Sequence, residues 1–402
     1  MNPRLVVFAA FTFIGLAPRA LTQQVFVVGP PGPGVFSQQL QPAINAAANG
    51  DIILVKQGGG ASDPWTINGK SLDVIAEAGS INKVAPGSVS GLQASQHVLI
   101  RGLQIVPRVS LTNNAGPVWL EECQMYTTFF LSQGADPIVN IANCASVTLQ
   151  RCYVGGYVVD PPSPPALLAS NSTVSLYSCH IKGAEGPWFN TTQPLFHGAT
   201  GARIVGGYMF ASDTQFIGGM GGMYSCCVDS TALGQAGGVG LSLAAPADLL
   251  SCTTIGGPGS YGPGGYGPPG AALEGTPPTI LPGIARRFVT RSPVRELDPV
   301  ALTFTGLPYE LVGIYVSSDS MIGLPNMAFE GVFVVALTGA HSFYLGQPGA
   351  DGTLSVSIQA PDLPPTLLGS TAFVQSFFFN TFFPNYVIVG PASAITVLDS
   401  SL

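Results

Sequence analysis

The pattern apolar-x-Leu-x-x-Cys-x-apolar occurs three times, as Val118–Met125 (VWLEECQM), Val147–Val154 (VTLQRCYV) and Val174–Ile181 (VSLYSCHI). The copies start 29 and 27 residues apart, a period at which each repeat is one structural unit that buries its apolar face only when neighbours stack on it. The fixed positions are residues of buried type, so the Leu and Cys slots read as inward ladders of a parallel stack. Val98–Ile105 (VLIRGLQI) repeats the pattern with Leu103 in the cysteine slot. Phe210–Asp213 reads as a degenerate copy with Asp213 there, and Leu249–Cys252 as a further one. Taking the second apolar position as marker, Ile100, Leu120, Leu149, Leu176, Phe210 and Leu249 are separated by 20, 29, 27, 34 and 39 residues. Stacked strands must hold register while the loops between them grow on the outside. The Gly/Pro/Ser-rich insertions Val159–Pro165, Lys182–Gly198 and Met220–Gly238 are therefore expected to project from the surface.

Upstream, Gln38–Ala48 (QQLQPAINAAA) predicts a short helix with Leu40, Ile44 and Ala47 on one face and Asn49-Gly50 as its stop. A β-branched strand, Asp51–Lys56, follows at once, then the turn Gly58-Gly59-Gly60 and the segments Trp65–Ile67 and Gly69–Ile75. A helix ending in Ala-Asn-Gly-Asp, an Ile-Leu-Val strand and an Ile-x-Gly-Lys-Ser-Leu strand together resemble the capped N-terminal coil of right-handed parallel β-helix proteins of the pectin-lyase-like type. The resemblance implies that the helix plugs the open end of the core. Gly256–Gly283 is mostly Gly and Pro, with Tyr261 and Tyr266, and reads as the exit from the stack and a linker. Beyond it, short alternating runs (Val300–Thr305, Gly313–Val316, Gly331–Leu337, Ser342–Leu345, Thr353–Ile358, Thr371–Phe379, Tyr386–Val389 and Ala394–Leu398) predict an antiparallel sandwich. This part resembles the C-terminal sandwich modules of secreted bacterial β-helices. The expected fold is all-β: a right-handed parallel β-helix over 21–255, a linker over 256–283 and a β-sandwich over 284–402.

Composition adds the compartment. Met1 to residue 20 reads as a secretory signal peptide, with Arg4 followed by the apolar run Leu5–Leu16 and small residues at Ala17 and Ala20, so a secreted or cell-surface location is expected. No other stretch reaches the ~18 apolar residues of a membrane span. Charged residues make up 9% of the chain against ~25% in ordinary soluble domains, while apolar residues at 46% are ample for a core. Net charge is −7; Arg286, Arg287, Arg291 and Arg295 are the last basic residues, and Glu296–Leu402 holds eight acids with no Lys or Arg. A phosphate-binding surface requires clustered cations, so nucleic acid is excluded as a partner. The four arginines form a short basic seam, read as a solvated strand edge at a domain junction or, alternatively, as a contact for an anionic wall polymer. Of seven cysteines (123, 144, 152, 179, 226, 227 and 252), three share the repeat slot. Equivalent slots lie ~4.8 Å apart on adjacent coils, so stacked thiols are expected, with disulfides in the column, or from Cys226 or Cys227 to Cys252 or Cys144, as the alternative.

Catalytic signatures are sparse. His97, His180, His197 and His341 are isolated, and neither Cys-x-x-Cys nor His-Glu-x-x-His occurs, so no metal or cofactor is expected. Gly257–Gly262 matches Gly-x-Gly-x-x-Gly only by chance within a Gly-rich tract. A polysaccharide-cleaving groove would need carboxylates stacked on neighbouring coils, yet the outward column after the cysteine slot reads Gln104, Gln124, Tyr153, His180, Thr214, Thr253. The preceding positions offer one charged pair, Glu122 with Arg151, which reads as a surface cross-strand ion pair. Asp213 in an inward slot must either point outward at a kink or cap a turn. Asn171-Ser172-Thr173 and Asn190-Thr191-Thr192 fit the glycosylation acceptor pattern. With no catalytic, cofactor or metal residues assigned, the expected function is a structural, adhesive or glycan-binding element, with cell-wall or extracellular polysaccharide as partner. The alternative is a polysaccharide lyase or glycosidase with its site on the β-helix face or in the loops 182–238.

Overall fold

A computed structural model of the chain describes residues 23–60, 63–80, 82–127, 136–156, 164–186, 197–222, 234–325, 329–379 and 387–402. The expected signal segment, Cys226, Cys227, Asn190 and most of the insertions 159–165, 182–198 and 220–238 lie outside these residues. The described chain is nearly all-β. Its first part is a parallel stack whose long sheet follows an eleven-strand path and curls as a half-barrel, compatible with a β-helix-like fold.

The register matches the repeat. Val118, Leu120 and Met125 pair with Val98, Ile100 and Ile105 on one side and with Val147, Leu149 and Val154 on the other. One flank of the long sheet holds Asp51–Val55, Leu72–Ala76, Val98–Arg101, Val118–Glu121 and Val147–Gln150. The other holds Trp65–Asn68, Gly87–Ser90, Val109–Thr112 and Val139–Ala142, and the eleven-residue strands Leu167–Tyr177 and Ala202–Ser212 run through both. A separate seven-stranded parallel sheet, Asn82–Val84 through Thr253–Ile255, supplies the third face. The inward residues of all three faces form one core with the cysteine column at a corner. The two x positions before the cysteine explain that corner. The first is the last strand residue, and the second is a left-handed residue: Gly102, Glu122, Arg151, Ser178, Asp213 and Ser251 have φ between 51° and 73°. A second corner uses Asn113, Asn143 and Asn171, at φ 55°, 54° and 47°, where a short polar side chain tolerates this conformation best.

This register corrects the degenerate repeat by one residue. Ala211, not Phe210, pairs with Leu176 and Leu249; Thr214 follows the corner, and Asp213 is the corner itself. Phe210 therefore points outward, and the outward column contains Gln215, which pairs with His180 and Thr253, rather than Thr214.

The N-terminal helix is Leu40–Ala46, with Leu40, Ala43 and Ile44 buried against the core. The family-like motif has a local reason. Lys70 Nζ donates to the carbonyls of Ile44 at 2.8 Å and Ala47 at 2.7 Å, capping the helix C-terminus. Asp51 accepts from Ala48 N at 2.7 Å and Gln24 N at 2.9 Å, and Asn49 Oδ1 accepts from Ser71 N at 2.8 Å.

At the other end the tract 256–283 is not simply a linker. Leu273–Gly275 and Thr279–Leu281 pair in parallel with Leu241–Leu243 and Ala247–Leu250, adding a further coil. The described parts of the insertions 182–198 and 220–238 do not project independently either. Where described, they pack beside the stack as two layers of extended segments linked at every third residue, the period of polyproline II. In one layer Gly183 and Gly186 donate to Ile217 and Met220, and Gly218 and Gly221 to Ile255 and Pro258. In the other, Gly198 and Gly201 donate to Ala236 and Val239, and Gly237 and Gly240 to Pro268 and Ala271. Ala199, Gly219, Gly238, Gly257 and Gly270 bond between layers. A Cβ on Gly219 would stand 1.8 Å from Ala184 O, so only glycine permits this approach.

After residue 284 the strands form separate antiparallel sheets. Arg287–Thr290, Pro299–Thr305 and Thr353–Gln359 make one. Val387–Leu398, Gly369–Phe379, Leu311–Ser317 and His341–Gly346 make another, with Val294–Arg295 added in parallel at its edge. Phe288, Leu302 and Phe304 of the first share a core with Val312, Ile314 and Phe378 of the second. Val387–Leu398 is a single strand that takes in 387–389 of one expected run and all of Ala394–Leu398, while Tyr386 lies outside the described residues.

Candidate functional site

Each face of the stack shows its outward residues to a different environment. On the flank containing Val118–Glu121, the outward residues Ile52, Ile75, Leu99, Trp119, Tyr177 and Phe210 pack against Val332, Val334, Val335, Phe373, Ala392 and Ala394 of the C-terminal part. This face carries Trp119, Tyr177, Phe210, Arg101 and Glu121, and the protein's own C-terminal sheets cover it.

The charged pair Glu122 and Arg151 belongs to a larger cluster on that boundary and is not an isolated surface pair. Glu121 is fully buried and Arg101 is 1% exposed. Arg101 Nη1 lies 3.2 Å from Glu121 Oε1 and its Nη2 lies 3.0 Å from Glu122 Oε2; Arg151 Nη2 reaches Glu121 at 2.5 Å and Glu122 at 3.0 Å. Burial pushes the Arg151 guanidinium toward neutrality, but the two carboxylates outweigh it and hold its pKa above the ordinary value. From the C-terminal part, Ser393 Oγ donates to Glu121 and Ala394 N donates to Glu121 Oε2 at 3.0 Å. Arg101 donates to the carbonyls of Ala394 and Thr290, and Arg151 to that of Phe288 at 2.9 Å. Glu121 is thus saturated by guanidinium, hydroxyl and amide donors, which leaves it unarranged to protonate a leaving oxygen or activate water, while Glu122 meets only the two guanidinium groups and keeps an exposed edge.

The arginine seam joins the same boundary. Arg287 grips Asp213 through Nε at 2.7 Å and Nη2 at 2.8 Å, and Ser178 Oγ donates to the same carboxylate at 2.8 Å. Arg295 lies 3.7 Å from Glu77, and Arg286 is buried in a two-point pair with Glu310 beneath the Phe378 ring. Arg291 is exposed. Three of the four cations are therefore internal partners, which removes most of the charge that an anionic polymer would meet.

The seven-stranded sheet shows a different surface. Its outward column is Lys83, Gln104, Gln124, Tyr153, His180, Gln215 and Thr253, paired strand to strand over six spacings, roughly 29 Å, and it is uncharged from Gln104 onward. Gln104 Nε2 donates to Gln124 Oε1 at 3.1 Å, and His180 Nδ1 lies 3.1 Å from Gln215 Oε1. Tyr153 and His180 stack with ring centroids 5.4 Å apart. Gly155 makes room for this: a Cβ there would stand 2.3 Å from the Tyr153 hydroxyl. At its N-terminal end the column enters an open cleft lined by Gln104, Gln124, Glu122, Arg101, Glu77, Ser80 and Ser292 among others. Sequence reasoning found this column but missed the cleft, whose far wall comes from a segment nearly two hundred residues away.

The cysteine column holds free thiols. Cys123, Cys152 and Cys179 are buried, and each Sγ lies against backbone carbonyls of its own and the preceding coil. Burial pushes the Cys123 and Cys152 thiols well above their ordinary range, and Cys252 to about 11, so they are neutral packing groups. Among the described residues no group of three or more His, Cys, Asp or Glu is placed to hold a metal ion, and no helix is long and apolar enough to cross a membrane. No protein-family model matches the chain, and no curated protein matches it in sequence.

Proposed function

We propose that the chain is an exported protein of the pectin-lyase-like kind, a right-handed parallel β-helix followed by a C-terminal β-sandwich, and that it acts at or outside the cell surface as an adhesive, glycan-binding element. The observation that carries this reading is the run Gln104, Gln124, Tyr153, His180, Gln215 and Thr253, the uncharged six of the seven positions in a column that Lys83 begins, running into the junction cleft. Amide, hydroxyl and imidazole groups at one strand spacing suit the hydroxyl-rich edge of an extended polysaccharide, and each pairs as donor and acceptor without a charge to desolvate. The stacked Tyr153 and His180 supply the apolar surface that a sugar ring requires.

The test is to incubate the secreted protein with a panel of acidic and neutral polysaccharides and to score both retention and depolymerisation. Retention without new chain ends, weakened in Gln124→Ala/Tyr153→Ala, is the expected result. Release of unsaturated or reducing ends that is lost in Glu122→Gln or Asp213→Asn would instead establish a lyase or glycosidase.

A further inference from the structure

We infer that Tyr261 and Tyr266 form a second glycan subsite, a clamp for one uncharged sugar ring at the tip of the glycine-rich bundle; this rests on the glycan-binding reading above. The two residues face each other across the short hairpin Tyr261–Gly262 and Gly265–Tyr266, closed by Pro263-Gly264. They are 54% and 74% exposed, with ring centroids 5.2 Å apart and planes at 68°. One ring is thus a floor and the other a wall, a corner open to solvent.

The corner is held rigidly from below. Ser260, 2% exposed, donates from Oγ to Gly222 O at 2.6 Å and accepts there from Gln235 N at 2.8 Å. Its own N–H donates to Gln235 O, its carbonyl accepts from Gly267 N, and Gly234 N donates to Gly265 O at 3.0 Å. A hairpin tied to two neighbouring segments presents its rings with little ordering left to do on binding, and tyrosine itself has few rotors to freeze.

The occupant follows from size and charge. Two rings on a two-residue turn offer far less than the ~800 Å² per partner of a stable protein interface, so the site suits a small group. Residues 256–272 contain no Asp, Glu, Lys, Arg or His, so the hairpin itself brings no charge to a ligand. A neutral pyranose has a flat C–H face for one ring and equatorial hydroxyls for the phenol groups, which matches this corner.

Affinity gel electrophoresis of the full chain through β-1,3-glucan, β-1,4-xylan and α-mannan, with polygalacturonate as the acidic comparison, tests the clamp. At least one neutral polysaccharide should retard the wild type. Tyr261→Ala/Tyr266→Ala should weaken that retardation roughly tenfold or more, the single Tyr266→Ala should weaken it in part, and Tyr261→Phe/Tyr266→Phe should retain most of it. The clamp is overturned if the double alanine variant is retarded like the wild type while Gln124→Ala/Tyr153→Ala is not, a result that leaves the column reading intact. It is also overturned if only polygalacturonate retards the wild type. Failure of every polysaccharide to retard the protein overturns both readings.

Discussion

The backbone N–H of Ala394 donates to Glu121 Oε2 at 3.0 Å, joining the middle of the parallel stack to the last strand of the chain across 273 positions. Glu121 also receives Ser393 Oγ and both Arg101 and Arg151. Glu121→Ala would leave two guanidinium groups and a backbone donor facing each other at a closed boundary, and breaking a buried cluster from one side costs roughly 3–5 kcal/mol. Glu122→Gln alters a group that is 36% exposed and should cost about 1 kcal/mol or less. Urea unfolding of the two variants checks this, and equal losses would show that the cluster does not hold the two parts together.

The thiol column gives the pH dependence. Burial raises Cys123 and Cys152 well above the ordinary thiol value, Cys144 to a lesser degree and Cys252 to about 11. A group whose folded pKa is raised contributes stability that is whole below the unfolded value and lost as pH climbs toward the folded one. The wild type should therefore be insensitive through these residues below pH ~8.5 and lose up to about 1.4 kcal/mol per pH unit per buried thiol above it. Removing two thiols in Cys123→Ala/Cys152→Ala should lower stability at neutral pH and flatten the alkaline slope. Denaturation midpoints at pH 7, 9 and 10 measure both, and a variant slope as steep as that of the wild type would remove the thiols as its cause.

The coils were legible because their inward residues recur at fixed slots and strand pairing forbids slippage without turning every side chain over. The slip at Asp213 arose where two apolar residues, Phe210 and Ala211, stand together and Thr214 replaces the cysteine, so periodicity alone placed the corner one residue early. The second layer over the stack has its own signal in the sequence. Leu99, Trp119 and Phe210 are apolar at outward positions, which is costly unless another layer covers them. The Glu121 cluster was not legible because its partners, Ser393 and Ala394, are ordinary residues whose contribution depends on how two distant segments meet. The glycine bundle escaped for a different reason: it has no apolar period, and composition alone reads such segments as loops.

That bundle yields the sharpest substitution test. Gly238 N donates to Gly219 O, and a Cβ on Gly238 would lie 2.0 Å from Ala199 O, a backbone atom fixed by its own bond to the neighbouring layer. No rotamer relieves that clash, since Cβ is set by the backbone, so the two layers must separate locally. Gly238→Ala should destabilise the bundle by roughly 1–3 kcal/mol, whereas Gly32→Ala, with nothing closer than 3.9 Å, should change stability by less than about 0.5 kcal/mol. Because the bundle is held by its own hydrogen bonds beside the stack, the loss should be local. Hydrogen exchange should accelerate at residues 183–186, 198–201, 218–222 and 234–240, while Val118–Glu121 and Val147–Gln150 in the stack remain protected. Uniform acceleration throughout the chain would mean that the bundle and the stack unfold as one unit, and unchanged exchange at Gly219 and Gly257 would mean that the layers are not bonded as described.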